Sequence, residues 1–416
     1  MTPTAPSATR GYLRGTVLTP DEPVSDGVLA FEGDRIVYAG PASGFDDAGW
    51  PDPVAVPPGA LIIPGLVDLH CHGALGSDFA TAGPDGIRQA VSFLHASGTT
   101  SLLASMVTGS RQSLLAAAER LGALAREGLI AGIHAEGPFL SPVRRGAQDP
   151  EYLLAPDPDF VDALVEASDS ELVTMTYAPE LPGAEDLVDR LILRGVTPSL
   201  GHTDADDATA AASLAWARDE MDEAGFDGYA PRPTVTHLFN GMPPLHHRSP
   251  GPAAACLRAA RKGDAVVEVI ADGVHMDPAM VRTVFELAGA DNIALVSDAI
   301  AATGLQDGSY RLGNLAVEVR AGTARLAGGG SIAGGTATLL QCLQRTVAAG
   351  VPLHDAVRAA AEVPADVLRL ADEVGALRRG LRADALVLTP DLQLHAVLRL
   401  GSWLDAPETL KTGKNS

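Results

Sequence analysis

Three cysteines in 416 residues, Cys71, Cys256 and Cys342, share no CxxC or other paired spacing, so no disulfide framework is written into the chain. Uninterrupted apolar sequence is equally scarce, and no run approaches the ~20 residues that a membrane-spanning helix needs. The amino-terminal stretch MTPTAPSATRGYLRG lacks the apolar core of a secretory signal. Unpaired thiols without such a signal fit a reducing cytoplasm. Positive charge is outnumbered, with 30 Lys and Arg against 52 Asp and Glu and a formal net charge of −22. A field of that sign repels nucleic acid and anionic membrane surfaces, and neither is an expected partner. A small phosphorylated metabolite is not excluded, because a few donors inside a pocket outweigh surface charges screened beyond about 8–10 Å. No solenoid-type repeat or low-complexity segment interrupts the chain.

What is present is a regular alternation. Eight short β-branched runs (LIIPGLVDLH, TSLLASMV, LIAGIHAEG, LVTMTYAPE, TPSLGHT, TVTHLFN, AVVEVIAD and IALVSDA) are separated by longer segments of helical periodicity. In PDGIRQAVSFLHASG, apolar Ile87, Ala90, Val91 and Leu94 recur at helical spacing and Gly98 supplies a stop. DPAMVRTVFELAGAD reads the same way. Repeated strand–helix units predict a parallel sheet, and eight of them over ~250 residues predict a (β/α)8 TIM-like barrel. The ends differ. DGVLAFEGDRIVYAG carries two short strands around a Gly33-Asp34 turn, and ADALVLTPDLQLHAVLRL carries two more around Pro390-Asp391. The expected organisation is therefore α/β, with a barrel over residues 63–372 and a small β-sandwich domain built from both chain termini, residues 1–62 and 373–405. A flexible polar tail is expected over 406–416.

Polar residues fall where such barrels place their chemistry. His70 and His72 close the first strand, Glu136 the third, His202 the fifth, His237 the sixth and Asp298 the eighth. Alternate side chains of a strand share a face, so His70 and His72 point together while Cys71 turns into packing. A lone histidine is more often a satisfied core or surface residue than a ligand. Ligand-type residues at five strand ends, in a barrel interior otherwise filled with Val, Ile and Leu, favour a divalent metal, Zn or Fe. The set suffices for one ion or two. Water next to such an ion becomes a nucleophile suited to an amide or ester carbonyl, and a nearby carboxylate can carry its proton to the leaving amine. Asp298 is the candidate for that shuttle; a plain metal ligand or a helix N-cap is the alternative.

At these residues the chain resembles the amidohydrolase superfamily, through its PGLVDLHCHG opening, and within it the N-acetylglucosamine-6-phosphate deacetylases. HAEGPFL at 134–140, RRGAQDP at 144–150, SLGHTDA at 199–205, THLFNGMPPLHHRSPG at 236–251, ADGVH at 271–275 and VSDA at 296–299 carry the resemblance over nearly the whole chain. It implies that Glu136, His202 and His237 hold the catalytic metal, that Asp298 is general base and acid, and that His70 and His72 provide a second metal site with Glu136 bridging. For a substrate phosphate it implies Asn240, the backbone at Gly241, His275 and Arg248. Arg248 would reach in from a neighbouring subunit of a homodimer. The main departure is Gln148, at a place where the family usually has a histidine that polarises the acetamide carbonyl; a neutral amide donates there instead. IAGG at 332–335 and Gly241 also depart, in loops where backbone contact dominates. The expected reaction is hydrolysis of the acetamide of N-acetylglucosamine 6-phosphate. The galactosamine epimer, another amide, and a non-catalytic scaffold on the same barrel are the alternatives.

Overall fold

A computed structural model describes residues 10–225, 231–328 and 330–405; the expected tail at 406–416 lies outside them. Eight parallel strands follow one another in chain order around a nearly closed barrel: β1 (Leu66–Asp68), β2 (Thr99–Val107), β3 (Gly132–Glu136), β4 (Leu172–Tyr177), β5 (Thr197–Leu200), β6 (Thr234–Val235), β7 (Val266–Ile270) and β8 (Ile293–Val296). The seam between β8 and β1 is joined by side chains and by backbone past the strand ends. Ser297 donates to the buried Asp68 carboxylate from its backbone N at 3.2 Å and from its Oγ at 2.6 Å. Just beyond, the Asp298 amide donates to the His70 carbonyl at 2.9 Å and the His72 amide to that of Ala299 at 2.7 Å. The segments that follow β1 and β8 are thereby stitched together at one point of the rim.

The helices form where local signals place them. Pro84 opens the helix Pro84–Ala96, and its Ile87, Val91 and Leu94 are at most 1% exposed, each contributing about 1.5–3 kcal/mol of burial. Asp277 caps Pro278–Ala288 by accepting from the Ala279 amide, and Gly289 ends it. No helix among the described residues is long and apolar enough to cross a membrane.

Both chain ends meet in one seven-stranded sheet, where Ala385–Leu388 pairs antiparallel with Leu61–Pro64 and the amino-terminal strands Arg10–Leu18, Pro23–Glu32 and Arg35–Pro41 follow on one side. The sheet rolls until Ile36 exchanges backbone hydrogen bonds with Gly380 and Leu381 at 2.8 Å. Its two halves enclose a core of their own, built on Leu13, Leu29, Phe31, Ile62, Val387 and Leu398.

The terminal sheet holds two strands that the sequence reading did not name, Arg10–Leu18 and Ser402–Leu404, and two further departures concern the barrel. The first candidate strand is two: Leu61–Pro64 belongs to the rolled sheet and Leu66–Asp68 to the barrel. Gly65 lies between them, and a Cβ there would stand 2.2 Å from Thr100 Oγ1. The chain crosses between domains at the one residue small enough to pass β2. After β8 a three-stranded sheet, Gly308–Leu312, Leu315–Arg320 and Thr323–Leu326, was not anticipated. Its buried Leu312, Val317, Val319 and Ala324 pack on Ile300 and Ala302 beside the barrel mouth.

Candidate active site and metal centre

Every ligand-type residue named from the sequence lies at or just past the carboxyl end of a barrel strand. Glu136 is the last residue of β3; His70 and His72 follow β1, and His202, His237 and Asp298 follow β5, β6 and β8. His202, His237 and Asp298 have positive φ, at 45°, 28° and 48°. That conformation costs a residue with a Cβ about 1–3 kcal/mol and persists where surrounding structure imposes it, typically at functional sites.

Two groups of three result, Glu136 with His202 and His237, and His70 with His72 and Asp298. Glu136 Oε1 lies 2.9 Å from the Nε2 atoms of both His202 and His237, which are 3.1 Å apart. His70 Nε2 and His72 Nε2 stand 3.0 Å apart, with Asp298 Oδ1 at 3.5 and 3.4 Å. The second Glu136 oxygen approaches His72 Nε2 at 3.2 Å, so this carboxylate spans the groups. Donors bound at about 2.0–2.1 Å to one tetrahedral ion stand roughly 3.3 Å from each other, close to these spacings. Nitrogen and oxygen donors aimed at a common point also suit zinc or ferrous iron. The residues therefore fit a divalent ion in each group.

Electrostatics point the same way. Burial works against a charged His72, yet the Asp298 and Glu136 carboxylates outweigh it and hold its pKa up at about 10. Burial opposes the Glu136 carboxylate too, but hydrogen bonds from His202 and His237 keep it well below the usual range. Asp298 is held down despite its burial by the charges of His70 and His72. The carboxylates thus demand positive charge between them.

All of these residues except the fully buried His70 line a cavity of about 470 Å3 that also exposes Gln148, Asn240, Gly241 and His275. His275 Nδ1 donates to Asp272 at 2.8 Å, and its Nε2 is 3.8 Å from Asp298 Oδ2. Burial disfavours its charge, but Asp272 and Asp298 prevail and raise its pKa, which suits an anion site. Gly241 has φ +60°, and a Cβ there would come within 2.7 Å of His202 Nδ1. Gln148 is 2% exposed and engaged at both ends. Its Oε1 accepts from the Thr108 amide at 2.8 Å and its Nε2 donates to Glu136 at 2.6 Å. The expected carbonyl donor therefore first orients the Glu136 carboxylate, leaving one further N–H on the amide.

Arg248 is the predicted substrate-binding residue that the chain does not bring to its own cavity; it is exposed and contacts His247 Nε2 at 2.8 Å. Cys71 is fully buried and outside both metal groups. Sequence reasoning missed Glu268, buried on β7, whose signal was a charge inside the apolar run VVEVI. It also missed Arg325, which reaches the cavity from the unanticipated three-stranded sheet.

Residues 61–411 match the pattern of the Amidohydrolase family. The chain belongs to the amidohydrolase family. Among its relatives, N-acetylglucosamine-6-phosphate deacetylase of Lysinibacillus sphaericus is 32% identical over 82% of this amidohydrolase and 85% of the relative. N-acetylgalactosamine-6-phosphate deacetylase of Escherichia coli O157:H7 is 31% identical over 81% and 86%. A solved structure, a mutant N-acetyl-D-glucosamine-6-phosphate deacetylase of Mycobacterium smegmatis in complex with N-acetyl-D-glucosamine-6-phosphate, superposes with a TM-score of 0.84 at 38% identity, covering 95% of this chain and 99% of that one. The barrel, its two donor groups and family membership together make this chain a hydrolase of amides.

Proposed function

We propose that this amidohydrolase cleaves the acetamide of N-acetyl-D-glucosamine 6-phosphate to D-glucosamine 6-phosphate and acetate. The observation that carries the reading is the position of Asp298. Its carboxylate opens on the same cavity as Glu136, His202 and His237, so a proton acceptor and a metal-binding group face one reaction volume. Glu136, His202 and His237 would hold the catalytic ion, and His70 and His72 a second, with Glu136 between. A divalent ion held there, zinc or iron, one or two per chain, supplies Lewis acidity and lowers the pKa of nearby water. Asp298 takes a proton from water as its oxygen bonds to the acetyl carbon. It returns that proton to the nitrogen as the carbon–nitrogen bond breaks, and acetate departs. The free N–H of Gln148 offers the carbonyl a neutral donor.

For the phosphate, His275, Asn240 and Gly241 line one cavity; the His275 and Asn240 side chains, the Gly241 backbone N–H and Arg248 of a second copy of the chain would form the cradle. A homodimer follows, with the cytoplasm, where phosphorylated sugars are held, as its setting. The galactosamine epimer is a second reading, favoured by the Escherichia coli relative. Acetate release is to be measured on both epimers and on unphosphorylated N-acetylglucosamine. Turnover confined to phosphorylated glucosamine supports the first reading, preference for the epimer supports the second, and silence on all three with metal-loaded protein refutes both.

A further inference from the structure

We propose that Glu268 is the positioning residue that makes the first-strand histidines a metal site, by fixing the His70 tautomer and tying β1 to β6. The inference rests on the two-ion reading of the site given above. Glu268 sits mid-strand in β7 among Val266, Val267, Val269 and Ile270, and is 1% exposed. A carboxylate in such a place costs several kcal/mol unless it is paired, and its partners show what it does. Through Oε2 it accepts from His70 Nδ1 at 3.1 Å and from the backbone N–H of His237, also at 3.1 Å.

The first contact keeps the His70 proton on Nδ1. The Nε2 lone pair is thereby aimed into the group, where His72 Nε2 is 3.0 Å and Asp298 Oδ1 3.5 Å away. A carboxylate behind a ligating imidazole sets ring orientation and raises ligand basicity. The second contact anchors the turn from which His237 reaches the other group. Neighbouring ligands have no such support, since Nδ1 of His72 and of His237 has no partner among the described residues. His202 Nδ1 has only a backbone carbonyl, that of Arg144, at 2.8 Å. Among the described residues, Glu268 alone hydrogen-bonds a carboxylate to the rear nitrogen of a histidine in either group, and it touches the ligand segments of both.

The test counts ions and titrates each site. Apo protein is reconstituted with zinc, and bound metal per chain is measured by equilibrium dialysis and elemental analysis for wild type, Glu268→Gln, Glu268→Met and a surface control, Glu373→Gln. Cobalt(II) replaces zinc in a parallel series so that absorption bands report each site's geometry. Wild type and control should bind two ions. Glu268→Gln, which keeps an acceptor but loses the charge, should weaken one of them by about 10-fold, and Glu268→Met by about 100-fold, with one set of cobalt bands lost. In a His70→Ala background, Glu268→Gln should weaken metal binding no further. Two ions of unchanged affinity in folded Glu268→Gln overturn the proposal and leave the two-ion reading standing. A single ion in wild type overturns the two-ion reading and the proposal with it. If Glu268→Met does not fold, Glu268→Gln and the His70→Ala background decide the matter alone.

Discussion

His95 is expected to limit the acid stability of this protein. It lies in the last turn of the helix Pro84–Ala96, away from the metal groups, is 4% exposed, and its Nε2 has no partner among the described residues. Burial, and then the neighbouring charges of Arg399 and Arg382, push its pKa down from 6.5 to about 3. The folded chain holds the ring neutral while the unfolded chain protonates it, so between these two values the unfolded state binds the extra proton. Stability contributed by the neutral ring is present above the unfolded pKa and is lost as pH falls. Linkage converts the difference into about 1.4 kcal/mol per pH unit, hence a loss of about 2 kcal/mol between about pH 7 and pH 5. The same figure holds for any folded pKa up to about 4, because the ring is then still neutral in the folded state at pH 5. Urea denaturation at the two pH values, for wild type and His95→Leu, isolates this contribution, since every other titrating group is common to both. The expected outcome is that the variant loses about 2 kcal/mol less than wild type on acidification. Equal losses in the two proteins would refute the reasoning, as would a folded-state NMR titration of His95 with a midpoint near 6.5.

Other consequences concern the site. Asp298→Asn should lower kcat for acetate release by about 10²–10⁴-fold, the span of a lost general acid–base; turnover within a factor of two of wild type would remove Asp298 from proton transfer. Gln148→Leu strips Glu136 of its 2.6 Å donor and orphans the Thr108 amide, so a loss of about 1–3 kcal/mol in unfolding free energy is expected, along with weaker metal retention on dialysis. Arg248→Ala should raise KM for the phosphorylated sugar by about 10-fold or more, the worth of a charge-assisted contact, without changing turnover of the unphosphorylated sugar. Mixing that variant with Asp298→Asn protein should restore part of the activity if the arginine is supplied across a dimer.

Much of this was readable because the signals are local. Strand period, helical spacing and Pro, Asp and Gly punctuation act within a few residues, and they placed eight barrel strands where the structure has them. The ligand candidates stood out because histidine and carboxylate have no packing value at the mouth of a barrel. Gly65 escaped notice because Pro64-Gly65 does not break the apolar run around it; only the proximity of Thr100 shows why the strand divides there. The three-stranded sheet was missed because GSYRL, LAVEVR and TARL are short and half exposed, and its buried side chains count only against Ile300 and Ala302.

By itself, then, the sequence determined the barrel class, the terminal β domain and the side chains able to hold a metal, each set by neighbours within a turn or a strand. Tertiary structure decided how those side chains group. Glu136 reaches two clusters although β3 neighbours only β2 and β4, and the other donors come from the ends of β1, β5, β6 and β8. Glu268 meets His70 across 198 positions of chain, and Asp68 meets Ser297 across 229. Gln148 was placed in the site by its motif, but its primary partner, Glu136, was visible only once the loop had folded over the barrel. Local propensity carries no term for contacts at such separations, which exist only after the barrel has closed.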